Sequence, residues 1–310
     1  MEQTHPPEEL VSPHPPSAPT RAWHAVALVL ALLLVLVLAA GAWARWRPLP
    51  DDDAARLRAR ATVASVRSDL HSASRWLTDD ALDRQLDALG PAASPAQQRR
   101  LDERGTAPPS PGSLSEAADA LGRDAVTAPD GDLAATAGAV AASWWAADQA
   151  AAGTVPDPDE SARPDEDGAA AGSSSCTAEV LAALRALDRS GFVAEAASAR
   201  RDALDRDATK TVDAVAHSSH RVLEDSRVVP LLRCEPRPAA ARHDLPAGFE
   251  EHPARSVGTA QREAGEAVVR ALPAASSEER EWLVGALRDA ARSAQALDPQ
   301  EPVAALPGRP

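Results

Sequence analysis

Along most of this chain apolar residues recur at alternating spacings of three and four, the period of a helix with one buried face. Val63, Val66, Leu70, Ala73 and Leu77 form one such stripe and predict a helix over about 53–77. Thr78 and Asp79 open a second, "DDALDRQLDAL", which Gly90-Pro91 stops. Ser94 with Gln97, and Ser113 with Glu116, read as capping boxes for helices ending near 105 and 125. Asp132 starts another, which runs to about 151 and carries Trp144 and Trp145. Further on, the pattern predicts a short helix over about 177–189, a break at Ser190-Gly191, and a long helix over about 192–229. After a proline-rich loop to 255, Ser256 caps a helix with Val257, Ala264, Val268 and Ala271 on one stripe, ended by Pro273. Ser276 and Glu279 box the last helix, whose Leu283, Leu287, Ala290, Ala294 and Leu297 again space by three and four.

One stretch breaks the periodicity by being apolar all round. "AVALVLALLLVLVLAAGAWA", residues 25–44, has no charge, and 20 residues of helix span about 30 Å, the thickness of a bilayer's hydrocarbon core. Its eleven Leu and Val residues contribute roughly −3 to −7 kcal/mol on the insertion scale, and Trp23, Trp43 and Trp46 sit where interfacial aromatics are found. A transmembrane helix is expected. Ala42-Trp43-Ala44 also fits a signal-cleavage pattern, but the run is longer than a usual signal core, so a retained anchor is favoured over a cleaved one. Orientation divides two rules. Arg45, Arg47, Arg56, Arg58 and Arg60 follow the span and favour a cytoplasmic side, yet Asp51, Asp52 and Asp53 interrupt them. A short tail, a span and a large domain is the layout of an exported protein, and that reading is taken.

The organisation expected is therefore a disordered Pro-rich tail over 1–24, the span over 25–44, and a helical region over 51–152. A disordered acidic and Gly/Ser linker over 153–175, a helical bundle over 176–298 and a disordered tail over 299–310 complete it. Composition reinforces the all-α expectation: alanine and leucine abound, Ile and Tyr are absent, and strand-favouring residues are scarce outside the apolar run. The net charge of −14 is spread along the chain, and Lys210 is the sole lysine among 32 basic residues, which form no stripe. Nucleic acid is therefore a poor partner.

Chemistry is concentrated in "HSSHRVLE", residues 217–224, where His217, His220 and Glu224 stand three and four apart on one helical face. His with carboxylate suits zinc or iron. On a continuous helix, however, the core sector is set by Val193, Ala197, Leu204, Ala208, Val215 and Val222, and the trio falls on the opposite face, with His220 paired to Glu224. No metal, cofactor or catalytic residue is assigned. Trp144, Trp145 and Trp282 are expected in the core. Phosphate-loop, dinucleotide, zincin and nucleophile-elbow motifs do not occur.

The loop "RHDLPAGFEEHP", residues 242–253, the helix after it and then "SSEEREWLVGALRDAA" resemble the second half of a ferritin-like helical domain of unknown function from envelope proteins of high-GC Gram-positive bacteria. The likeness covers about 176–297. It implies a ferritin-like four-helix bundle with no established activity and brings no catalytic residues. The reading reached is a single-pass, membrane-anchored helical protein at the cell envelope, with its C-terminal domain extracytoplasmic. Its role is structural or interactive rather than catalytic, with another envelope protein as partner. The competing readings are a ferritin-like metal-dependent enzyme and a cytoplasmic-facing membrane scaffold.

Cys176 and Cys234 are the only cysteines. In an exported domain they are expected to form a disulfide closing about 58 residues, worth roughly 4 kcal/mol in the chain-entropy model. Intact mass after alkylation should then show neither thiol modified until reductant and denaturant are added together; two thiols reactive on unfolding alone would remove the bridge.

Overall fold

The computed structural model describes residues 18–46, 49–70, 76–103, 111–153, 177–224, 228 and 243–309, without the side chains of 18–22, 40, 42–46, 69, 70, 223 and 224. Among the described residues there are ten α-helices and no strand, so the protein is all-α, as the periodicity predicts. The chain divides into two compact units, Met1–Pro48 and Leu49–Pro310.

The first unit contains α1 (Ala18–Trp46), a helix of 29 residues. Its large aliphatic side chains from Val26 to Leu38 are 53–66% exposed. Side chains are described without a gap only over 23–39. Among the described residues no helix is long and apolar enough to cross a membrane.

The second unit begins with α2 (Asp51–Ser65), whose first turn carries three aspartates where the positive end of the helix dipole favours them, and which passes into a single π-helical turn, Val66–Leu70. Then come α3 (Asp79–Ala88), α4 (Pro95–Glu103), α5 (Leu114–Thr127) and α6 (Gly131–Ala152). Most starts follow the local signals. Thr78 accepts from the Ala81 N–H, and Ser94 and Gln97 close a reciprocal box. Ser113 accepts from the Glu116 N–H, but the Glu116 carboxylate turns to the Gly112 N–H, so only half of the predicted box forms. At α6 the cap is Asp130, two residues before the expected Asp132. Carbonyls at and just past the end of α3 are satisfied from α2: Arg56 donates to Leu89 O at 3.0 Å and Pro91 O at 3.3 Å, while Arg60 donates to Leu86 O and Gly90 O.

The second half departs from expectation at one place. Ser190-Gly191 does not break the chain; α7 (Ala178–Ser198) runs through it. A Cβ on Gly191 would stand 2.7 Å from Ser219 Cβ, so this glycine lets α8 approach α7 rather than ending a helix. The break lies later, at a short 3₁₀ turn, Arg201–Ala203, before α8 (Arg206–Glu224). Next, α9 (Pro253–Ala271) starts with proline in its first turn, ahead of the expected Ser256, which is buried inside the helix. The box of Ser276 and Glu279 starts α10 (Ser277–Leu297) as predicted.

Helices α7 to α10 pack in a closed ring, α7 on α8 and α9, and α10 on α8 and α9. On the outside of that ring α10 also packs against α5 and α6, and α2 against α3, α5 and α6. The helices before and after the expected linker thus share one core: Leu82, Leu121, Trp144 and Trp145 belong to the same buried cluster as Leu184, Val268, Leu272, Leu283 and Leu287. A smaller cluster, with Val193, Val212, Val215, Phe249, Val257 and Leu297, closes one end of the ring. Within this core α6 is buried on every side from Leu133 to Trp145, as suits a helix without charge between Asp132 and Asp148. Arg280, itself buried, joins the halves by donating to Leu272 O at 3.0 Å and to Ala128 O, 152 residues away.

The expected disordered tail from 299 is a strap instead. Residues 299–309 run back over α9 and α6, with Ala305 buried and Val303 and Leu306 packed on the core. Polar hooks hold it: Gln85 donates to Ala305 O at 2.9 Å, Gln295 to Glu301 O at 3.3 Å, and Arg309 lies 3.6 Å from Asp132. Low hydrophobicity predicted disorder here because side-chain amides from elsewhere in the fold cannot be seen locally.

The seam between the halves is tightest at Gly131, where a Cβ would lie 2.6 Å from Pro273 O and 2.8 Å from its Cα. Backbone on the far side leaves no rotamer escape. Gly131→Ala is therefore expected to cost about 1–3 kcal/mol, seen as a lower thermal midpoint with helix content kept; an unchanged midpoint would mean that α6 and the α9–α10 turn do not pack.

Candidate functional site

The trio singled out in the sequence does not assemble. His217 is exposed on α8, and His220 Nε2 lies 2.6 Å from Glu195 Oε1 of α7, with both side chains about half exposed. Its expected partner Glu224 has no described side chain. Among the described residues no three His, Cys, Asp or Glu side chains gather as metal ligands. Cys176 and Cys234 lie outside the described residues. A second histidine pair ties the loop before α9 to α7: His243 Nε2 stands 3.0 Å from Asp188 Oδ2, with the Phe192 ring tilted against the imidazole at 5.6 Å. Trp144, Trp145 and Trp282 are all buried.

What the fold does assemble is a cleft between α6, α9 and α10, roofed by the strap. Its floor is apolar, from Ala142, Ala146, Leu287 and Ala291, and its polar lining combines Gln261, Gln295 and Ser143 with the charged Arg262 and Glu266. Behind it Gln85 sits fully buried with its amide used on both sides. Trp144 Nε1 donates to its oxygen at 2.9 Å, and its nitrogen donates to Ser143 Oγ at 3.3 Å and to Ala305 O at 2.9 Å. Gln261 donates to Ser190 Oγ at 3.2 Å. Of the charged residues in the lining, Arg262 pairs with the buried Asp298 at 3.1 Å, which Arg255 also faces at 3.7 Å, and Glu266 stands 3.6 Å from Arg270.

Amides orient carbonyl and N–H groups but do not carry protons at neutral pH. Under the strap about 70 Å³ stays unfilled, less than half of the roughly 150 Å³ that takes a benzene ring. The arrangement suits recognition of extended backbone, with side-chain amides reading carbonyls.

None of these glutamines stands out in the sequence, although a signal exists. Gln85 falls on the stripe of Leu82, Leu86 and Leu89, and Gln261 fills the gap between Val257 and Ala264. A polar residue on a core stripe must find a buried partner; which partner is a tertiary question.

Burial alters two ionisable groups. Asp124, half-buried on α5, has its carboxyl pushed above the ordinary aspartate range by desolvation, against the opposing charges of Arg58 and Arg123. Arg280 is lowered from its ordinary value by burial, with Asp130 opposing; an arginine stays charged throughout the working range.

No protein-family model, curated protein or solved structure matches this chain.

The sign of the Asp124 effect follows from linkage. With its folded value raised, the unfolded chain loses the proton first as pH rises, so stability falls between the ordinary aspartate range and the raised value. Asp124→Asn removes that loss. Its thermal midpoint should gain on the wild type as pH rises through this window and then hold a constant lead; a difference that shrinks with pH would mean that the Arg58 pair outweighs desolvation.

Proposed function

We propose that this is a single-pass, membrane-anchored helical protein of the cell envelope, in which residues 25–44 span the bilayer and the unit from Leu49 onward works outside the cytoplasm as a non-catalytic interaction domain. The observation that carries the reading is α1. It is a helix of 29 residues whose aliphatic side chains from Val26 to Leu38 are 53–66% exposed. Each Leu or Val moved from water into an apolar medium gains roughly 1.5–3 kcal/mol. A bilayer supplies that medium over the length required.

Orientation is supported by what the arginines after the span do. Arg56 and Arg60 cap the end of α3, and Arg58 faces Asp124 at 3.8 Å. Charges held inside a folded unit weigh less as topology signals than charges on a free juxtamembrane loop. Only Arg45 and Arg47 then remain for the positive-inside rule. The closed ring of α7 to α10 supports a ferritin-like arrangement, and the contacts of Gln85 and Gln295 with strap carbonyls support an interaction role. The partner on this reading is another envelope protein, and the disulfide between Cys176 and Cys234 belongs with it.

Fractionation tests the anchor. The full chain should stay with membranes through alkaline carbonate, and replacing Leu33 and Val35 with arginine should release it; a wild-type chain extracted by carbonate would sink the reading. In intact spheroplasts, protease should digest the unit after Leu49, whereas protection would turn it to the cytoplasm.

A further inference from the structure

The strap is an unusual ligand for its own cleft. It contributes no regular secondary structure, buries one small side chain, Ala305, and is fastened through backbone carbonyls to Gln85 and Gln295. Its outer fastening, Arg309 to Asp132, is exposed on the aspartate side, where screening makes such a pair weak. It also fits its groove imperfectly, since about 70 Å³ stays open against Pro302, Val303 and Ala304 on one side and Leu287 and Ala291 on the other. A segment held through two main-chain carbonyls and the partly buried Val303 and Leu306 is replaceable by an extended segment that offers the same carbonyls and aliphatic contacts.

We propose that the cleft between α6, α9 and α10 is a peptide-docking groove that residues 299–309 occupy in cis, and that its partner is an extended, proline-containing segment of another protein carrying one bulkier aliphatic residue at the place of Val303. The choice of occupant follows from competition. A second copy's strap offers only the same contacts, and the strap in cis acts at an effective concentration on the order of millimolar. A segment that displaces it must fit better, and the open volume beside Val303 says how. Filling it is worth roughly fourfold in affinity per added methylene. This deepens the interaction role proposed above and rests on it for the setting, but not on the membrane span.

Gly308 supplies a way to loosen the strap without deleting it. Its φ of +73° is a left-handed conformation, and a Cβ there would meet Glu266 O at 2.8 Å. The probe is a fluorescein-labelled peptide with the sequence of residues 299–310, PQEPVAALPGRP, read by anisotropy against the full chain in mild detergent. It should bind the Gly308→Ala chain and a chain ending at Asp298 saturably, and wild type at least tenfold more weakly. The same peptide with leucine at the Val303 position should bind about fourfold tighter. Gln85→Ala or Gln295→Ala in the Gly308→Ala background should weaken it at least tenfold, with the circular dichroism of folded helix retained. Failure of the peptide to bind either loosened chain while that chain stays folded overturns the proposal, as does binding indifferent to both glutamines. A dimer of the Gly308→Ala chain in light scattering would give the groove to a second copy and overturn the assignment to a different partner. None of these readouts depends on carbonate extraction, so the groove and the anchor fail separately.

Discussion

Alanine buries little surface, so a core built largely from it holds together only where helices come unusually close. That constraint governs this protein. Close approach is achieved with glycine at the crossings: Gly131 meets the backbone of Pro273, Gly138 the side chain of Leu272, and Gly191 the side chain of Ser219. The few large residues then fill what small ones cannot. Trp144 lies wholly buried in α6, and Gly122 accepts the ring of Trp145 at a distance that leaves no room for a methyl group. Close packing of this kind is unforgiving, because neighbours cannot relax into backbone.

Helices this close also bring polar groups into contact across long stretches of sequence, and these contacts join the two halves. Arg280 links the ends of α5 and α9 through their carbonyls. Gln85 links α3, α6 and the strap with a single amide whose oxygen and nitrogen are both satisfied. Each of these groups would be costly if left unpaired, so each specifies one arrangement of the helices more sharply than apolar contact alone could. The result is one core with a cleft on its flank, roofed by residues 299–309.

The two units differ in what they bury. The first unit exposes the aliphatic residues of α1 from Val26 to Leu38, whereas the second buries its own in a continuous cluster. On the reading proposed above, the membrane address and the recognition surface are carried by different parts of the chain. The acidic balance, −14 overall, disfavours polyanions as partners.

Sequence alone determined what depends on neighbours within a turn or two. The helical class, the capping box of Ser276 with Glu279, the start of α3 at Thr78 and the stripe of Leu283, Leu287 and Leu297 are all local, because a cap bonds three residues ahead and a stripe repeats every three or four. Only the tertiary structure decided what depends on partners far along the chain. Gly191 looked like a helix break because the α8 residue that needs its missing side chain lies 28 positions away. The role of Gln85 was not legible because its partners lie 58, 59 and 220 residues on. Residues 299–309 looked disordered for the same reason, since the apolar floor and amides that hold them come from three other helices. Short-range order is encoded by spacing; the cleft is encoded by which spaced elements meet, and that is set by packing.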